Sequence, residues 1–166
     1  MRIGLYLASQ RDGLIDLLIE LSRYYDAGPS SRSDVAAHLD GVLTGSASPV
    51  QLVTAGAGEG KVTGLAALVL LPSLVEVVGP GRRQCVLKEL FVAESSRSAG
   101  VGEALLRWSA SYALEQGCGR MDWSVKAGNA DGIRFYERHG ARLVGDRLSY
   151  RIEGRHLANL ATPLMS

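Results

Sequence analysis

An apolar run, Val86 to Val92, leads through Arg97-Ser98-Ala99-Gly100-Val101-Gly102 into an amphipathic run from Val101 to Gln116. This stretch constrains the fold more tightly than any other, because a strand that turns directly into a helix commits the chain to layers of helix on sheet. The first amides of a helix have no carbonyl partner within it and lie at the positive end of its dipole, so together they hold an anion such as a phosphate. Gly100 and Gly102 carry no β-carbon, which lets a ligand's phosphates come close to the backbone. The turn reads as a phosphate cradle. It reads equally as a glycine-eased turn that binds nothing, and a motif this short does not choose between the two.

Beyond this helix, which ends at Gly117, Met121, Trp123 and Val125 alternate with Asp122, Ser124 and Lys126, predicting another strand. Strand, helix and strand then form a βαβ unit with parallel strands and a right-handed crossover. Ligands of such units bind beyond the carboxyl ends of the strands, where Arg97 to Gly102 falls. Before this unit come a first strand, Arg2 to Ala8, and a helix capped by Ser9 or Asp12 with Leu14, Leu17, Leu18, Leu21 and Tyr25 at helical spacing. Pro29-Ser30-Ser31 interrupts that helix. A second one, capped by Ser31 or Ser33, sets Val35, Leu39 and Val42 on one side and ends at Gly45, with Pro49 closing the loop. Val50 to Ala55 and Val62 to Leu71 make a hairpin around Gly56 to Gly60. The apolar loop Pro72 to Gly81 reads as a strand extension packed on the core or as a wall of an acceptor pocket.

In the helix after the glycine turn, Val101, Leu105, Trp108 and Tyr112 form one stripe. A last helix starts at Asn129 or Asp131 and runs through Ile133, Phe135 and Tyr136 to Gly140, and two closing strands lie near Arg142 to Val144 and Leu148 to Ile152. The tail from Glu153 to Ser166 is a short helix or a dimer-contacting arm. A chain of 166 residues with no linker or repeat is expected to be a single domain over 1–166.

Strand Gln84 to Val92 carries two polar intrusions. Alternation puts Cys85, Leu87, Glu89 and Phe91 on one face and Val86, Lys88, Leu90 and Val92 on the other, both mostly apolar. A charge on buried surface needs a partner or a water path, so Glu89 and Lys88 are either a structural ion pair with another segment or, for Glu89, a group that faces a cleft and does chemistry. A net charge of +1 gives no reason to expect nucleic acid or a membrane surface as partner. Cys85 and Cys118 read as reduced thiols of a cytoplasmic protein. No signal segment or membrane-length apolar run is present, and His38, His139 and His156 show no metal-ligand spacing.

The order of these parts resembles the GNAT-type N-acyltransferase superfamily, whose members move an acyl group from acyl-coenzyme A to an amine. The likeness rests on Leu90-Phe91-Val92, the R-x-x-G-x-G turn, and Asn129-x-x-x-Ile133-x-Phe135-Tyr136-x-x-x-Gly140-Ala141. It implies an α/β fold with a mixed, mostly antiparallel central sheet of about six to seven strands and flanking helices. It further implies that the backbone of Leu90, Phe91 and Val92 pairs with the pantetheine arm of acetyl-CoA. Arg97, Ser98, Ala99, Gly100, Val101, Gly102 and Glu103 would hold the pyrophosphate, Asn129 would reach the pantetheine or phosphates, and Tyr136 would lie near the thioester sulfur. An alkylamine with a pKa near ~10.4 must lose a proton before attack. Glu89 is the candidate base, through water, and Tyr136 the candidate acid for the departing thiolate.

Glu20-Leu21-Ser22-Arg23-Tyr24, Leu87-Lys88-Glu89-Leu90-Phe91-Val92 and Phe135-Tyr136-Glu137-Arg138-His139-Gly140-Ala141 look most like the diamine and thialysine acetyltransferase branch. That branch has acidic residues where Tyr25 and Lys88 stand here, which argues against a polyamine. Tyr24, Tyr25, Asp26 and Lys88 are the acceptor-binding candidates, with Lys88 suited to an acceptor carboxylate. The expected activity is acetyl transfer to a small-molecule primary amine, without a metal, and the resemblance leaves a homodimer open. Two other readings stand beside it: an acyl-CoA sensor that transfers nothing, and an acetyltransferase of protein or peptide amines.

Overall fold

The computed structural model describes residues 1–44, 49–56 and 60–161. The chain forms two compact units, Met1–Ser124 and Val125–Ser166. The first unit holds a five-stranded sheet in the order β1 (Arg2–Leu5), β2 (Val50–Gly56), β3 (Val62–Pro72), β4 (Arg83–Val92) and β5 (Arg120–Asp122). Neighbours from β1 to β4 are antiparallel, and β4 and β5 are parallel, as the βαβ reading requires. The fold is the expected mixed α/β arrangement. The expected six to seven strands are corrected to five among the described residues.

The difference lies in two segments. Residues 141–153 form no strand, although Leu148, Tyr150 and Ile152 alternate as a strand would. A strand exists only through its ladder, so the alternating pattern of this segment is not by itself enough to make one. The strand expected through Trp123 and Val125 stops at Asp122. The helix end at Gly45, the hairpin turn over 57–59 and the tail from 162 lie outside the described residues.

Helices α1 (Arg11–Tyr24) and α2 (Arg32–Thr44) cover one face of the sheet. Leu14, Ile15, Leu17, Val35 and Leu39 are buried there with Leu65, Ala67 and Phe91. Ser31 caps α2, as one of the two expected caps: its hydroxyl accepts from the Asp34 amide (3.1 Å), and the Asp34 carboxylate accepts from the Ser31 amide (2.9 Å). The opposite face is covered by α3 (Val101–Glu115), whose Val101, Leu105, Leu106, Ser109 and Ala113 are buried. The expected stripe is therefore corrected at two positions. Trp108 and Tyr112 are half-buried and stack on each other at 5.3 Å, leaving the small Ser109 and Ala113 to face the sheet.

Both glycine stops appear as expected. Gly117 after α3 and Gly140 after α4 (Ala130–Arg138) are left-handed, and the amides of Cys118 and Ala141 reach back to the carbonyls of Ala113 and Tyr136. Helix α1 ends by the same bonding, with the amides of Asp26 and Ala27 on the carbonyls of Arg23 and Ser22. Here Asp26 takes the left-handed position (φ 52), several residues before Pro29. In the second unit, Asn129 caps α4 by accepting from the Gly132 amide at 2.9 Å, and α5 spans Gly154–Ala161.

Alternation fails at Lys88. Leu87 pairs with Leu68 and Glu89 pairs with Ala67, so Lys88 is an extra residue with no partner across the ladder. Residues directly opposite share a face, so Cys85 and Leu87 stand with Leu68 toward α3, while Glu89 and Phe91 stand with Ala67 and Leu65 toward α1. The single face expected for Cys85, Leu87, Glu89 and Phe91 is thus split. Lys88, expected on buried surface, is exposed.

Candidate functional site

The first unit brings most of the anticipated residues onto one end of β4. The β4–β5 ladder ends at Val86 opposite Asp122, so among the described residues the backbone from Leu87 to Val92 pairs with no strand on that side. Along Leu90 and Phe91 the strand presents backbone to an extended, amide-bearing ligand, while the Val92 carbonyl accepts from Arg97. The strand runs into a 3-10 turn, Glu94–Ser96, and then into the turn before α3.

Ser98 (φ 61) and Gly100 (φ 77) are both left-handed, which folds the chain sharply between Arg97 and Val101. Gly100 is the N-cap of α3, and no side chain caps the helix. The first helical bond runs from the Ala104 amide to the Gly100 carbonyl at 3.0 Å, so the amides of Val101, Gly102 and Glu103 precede it and point outward. A β-carbon at Gly100 would meet nothing within 4 Å, so the N-cap itself is not packed against other atoms. The Glu103 carboxylate, which would compete with an anion here, accepts from Arg107 Nε at 2.8 Å. A diphosphate fits this turn, and an amide-bearing arm fits the strand edge that leads to it.

Arg97 joins the turn to α1. Its Nε donates to the Val92 carbonyl (3.3 Å), and its guanidinium lies over the rings of Tyr24 (5.6 Å) and Phe91 (5.7 Å). Such cation–π contacts contribute about 0.5–1 kcal/mol each at exposed sites. Tyr24 also packs on Tyr25 and Phe91, with ring centroids at 5.2 and 5.7 Å. The Tyr25 hydroxyl donates to Glu89 Oε1 at 3.1 Å. Glu89 therefore has a hydrogen-bond partner from the end of α1, in place of the ion pair considered from sequence. Tyr24, Tyr25 and Asp26 occupy the end of α1, with Asp26 and Lys88 exposed.

In the second unit, Asn129 Oδ1 is engaged in capping α4. Tyr136 is half-buried against Phe135 at 5.1 Å, and its carbonyl accepts from His139 and Ala141 at the helix stop.

One residue at the site escaped the sequence reading. Glu20 Oε1 accepts from the Glu94 amide at 2.7 Å, tying α1 to the segment that precedes the glycine turn. Its position one turn before Tyr24 was the available signal, since i and i+4 share a helix face. The two thiols are buried, and burial pushes the Cys85 thiol up to about 11, with Cys118 adding to the shift. Among the described residues no three His, Cys, Asp or Glu side chains cluster as metal ligands, and no helix is long and apolar enough to cross a membrane.

Comparison with known proteins agrees with this geometry. The L-ornithine N5-acetyltransferase of Arabidopsis thaliana is 34% identical over 68 residues, which are 41% of this chain and 30% of that protein. The streptothricin acetyltransferase of Streptomyces lavendulae is 31% identical over 85 residues, 49% of this chain and 45% of that one. The chain thus spans less than half the length of these curated relatives. Among solved structures, an integron cassette protein from the mobile metagenome of V. cholerae superposes with a TM-score of 0.84 at 29% identity, covering 98% of this chain and 99% of that one. An aminoglycoside N-acetyltransferase in complex with CoA shares the fold, with a TM-score of 0.66 at 17% identity over 92% of this chain and 100% of that one. The model of the acetyltransferase (GNAT) family matches residues 16–141, and on that match the chain belongs to the GNAT acetyltransferase family.

Proposed function

We propose that the chain is an acetyl-CoA-dependent N-acetyltransferase that acts on a primary amine of a small molecule by direct transfer. One observation carries the reading: the edge of β4 that is unpaired beyond Val86 among the described residues leads into the start of α3, which no side chain caps and whose N-cap Gly100 is unpacked. Acetyl-CoA supplies the activated acyl carbon. Leu90, Phe91 and Val92 hold its amide arm, and the amides from Ser98 to Glu103 with Arg97 hold its diphosphate, while Asn129 adds a contact to the arm or the phosphates. A backbone amide near Val92 serves the oxyanion that forms on attack. Glu89 takes the amine proton through water, and Tyr136 returns a proton to the departing thiolate.

The acceptor groups come from the end of α1 and the bulge of β4. Glu89 and Asp26 suit the ammonium, and Tyr24 and Tyr25 line its path. The reading keeps the diamine and thialysine branch as the nearest in kind, but exposed Lys88 works against a second cation and suits a carboxylate on the same molecule. The similarity to an L-ornithine N5-acetyltransferase supports a small amine-bearing acceptor. Two buried thiols suit the cytoplasmic setting this reading assigns.

The test is acetyl-CoA-dependent thiol release across a panel of amino acids, polyamines, other amines and peptides. Release with amino acids or other small amines is expected. In that assay Tyr136→Phe should lower kcat by about a hundredfold or more with little change in KM for acetyl-CoA. Full turnover by that variant removes the acid role from Tyr136. Tight acetyl-CoA binding with no release on any amine identifies a sensor, and release on peptides alone identifies a protein acetyltransferase.

A further inference from the structure

Arg97 and the amide arm of acetyl-CoA compete for one atom. The Arg97 Nε donates at 3.3 Å to the Val92 carbonyl, an acceptor at the end of the β4 edge that the arm would follow. Its guanidinium carbon lies 5.6 Å from the ring centre of Tyr24 and 5.7 Å from that of Phe91. Among the described residues the guanidinium meets that carbonyl and those two rings, and no carboxylate. The arginine that suits a diphosphate thus rests on an aromatic seat. On the acetyl-CoA reading above, we propose that Tyr24 is a positioning residue for that ligand. Its ring holds Arg97 on the Val92 carbonyl until the diphosphate draws the arginine off and uncovers the carbonyl for the arm.

The seat is fixed from several sides within the first unit. Phe91 is 5% exposed and belongs to the core under α1. Tyr24 packs on it and on Tyr25, whose hydroxyl donates to Glu89. A diphosphate offers the guanidinium charge-assisted bonds roughly twice as strong as one to a neutral carbonyl, so it wins the arginine from the seat. Apparent affinity falls in proportion to the fraction of chains in the binding-competent arrangement. One exposed cation–π contact corresponds to about a two- to fivefold bias, so Tyr24 should weaken acetyl-CoA binding by about that factor. A purely structural Tyr24 predicts the opposite sign, because losing its ring would loosen the end of α1.

The test is calorimetric titration of the full chain with acetyl-CoA. Tyr24→Leu is expected to tighten binding about two- to fivefold, and Tyr24→Phe, which keeps a ring, to match wild type. Arg97→Ala should weaken binding several-fold, and in that background Tyr24→Leu should change nothing. Unchanged or weaker binding by Tyr24→Leu overturns the proposal and leaves the acetyltransferase reading standing. So does a tightening that persists without Arg97, or an Arg97→Ala variant that binds like wild type. A wild type that does not bind acetyl-CoA overturns both. If Tyr24→Leu fails to fold, the Nε–Hε proton of Arg97 in the wild type decides by NMR, its signal identified by its loss in Arg97→Ala. A proton above an aromatic ring is shielded, so acetyl-CoA should move this signal downfield, and a signal that stays in place overturns the proposal.

Discussion

Gly64 lies under the start of α3, and replacing it tests whether that helix end sets affinity for acetyl-CoA. A β-carbon there would sit 2.9 Å from Leu105 Cδ1, 3.0 Å from Val101 Cγ1 and 3.1 Å from the Phe91 carbonyl oxygen. Leu105 and Val101 are 0 and 5% exposed, and the carbonyl belongs to β4, so neither helix nor strand has slack to yield. Both side chains lie on one stripe of α3, so relief comes from lifting the first turn by a few tenths of an ångström. Overpacking of this kind costs about 1–3 kcal/mol. For a chain of this size, 2 kcal/mol corresponds to a fall in Tm of about 4–8 °C. The lifted turn carries the amides of Val101, Gly102 and Glu103. Gly64→Ala should therefore raise KM for acetyl-CoA several-fold while changing KM for the acceptor much less. The assay is a thermal melt with steady-state kinetics in both substrates, and Gly64→Ala/Val101→Ala should recover part of both losses. An unchanged Tm would show that Leu105 turns aside. A lower Tm with an unchanged KM for acetyl-CoA would refute the link between the seat of α3 and cofactor affinity.

Asp26→Gly exchanges one residue that accepts the left-handed region for another, so the gain in backbone freedom there and the added entropy of the unfolded chain should nearly cancel, leaving Tm within about 2 °C of wild type. If Asp26 meets the acceptor ammonium, the same variant raises acceptor KM, and an unchanged KM removes it from the acceptor site. Glu20→Ala removes the carboxylate that holds the Glu94 amide, a loss of about 1 kcal/mol or roughly fivefold in KM for acetyl-CoA, and Glu20→Gln should restore most of it. The Cys85 thiol is raised from 9.0 to about 11, so it is protonated in both folded and unfolded chains below about pH 9. Between about pH 9 and 11 the unfolded chain releases this proton and the folded chain keeps it, so stability falls by up to about 3 kcal/mol. Urea melts across that window should fall more steeply for wild type than for Cys85→Ala. Parallel slopes would refute the assignment.

Local chemistry made parts of this molecule legible from sequence, and long-range pairing hid others. The stops at Gly117 and Gly140 could be read because a left-handed residue after a helix favours glycine. The stop at Asp26 could not, because aspartate is among the few other residues that accept that conformation, and nearby Pro29 is the stronger signal. The α3 stripe was misplaced because period alone favours bulky residues, whereas close packing on a sheet favours small ones such as Ser109 and Ala113. The glycine turn is one continuous segment, so its place between β4 and α3 could be read, whereas the left-handed Ser98 within it could not. The bonds from Tyr25 to Glu89 and from Glu94 to Glu20 join residues 64 and 74 positions apart, and no local pattern encodes either.

The pairing with β3 around the bulge at Lys88 decides which side of the sheet the candidate base occupies. With strict alternation, Glu89 would share the face of Cys85 and Leu87, beneath α3, where a carboxylate among buried apolar side chains is costly. One extra residue shifts the phase, so that Glu89 stands toward α1 and accepts from Tyr25. The same extra residue leaves Lys88 exposed at the point where the strand changes phase. Past the bulge, Leu90 to Val92 continue along the edge that β5 has left, into the turn before α3. A single insertion therefore sets the carboxylate on the α1 face of the sheet while the strand itself proceeds along its other edge to the turn before α3. Deleting Lys88 would leave a regular ladder, with Leu87 opposite Leu68 and Glu89 opposite Ala67, so the carboxylate keeps its place toward α1. It is the pairing with β3, and not the side chain of Lys88, that fixes its side.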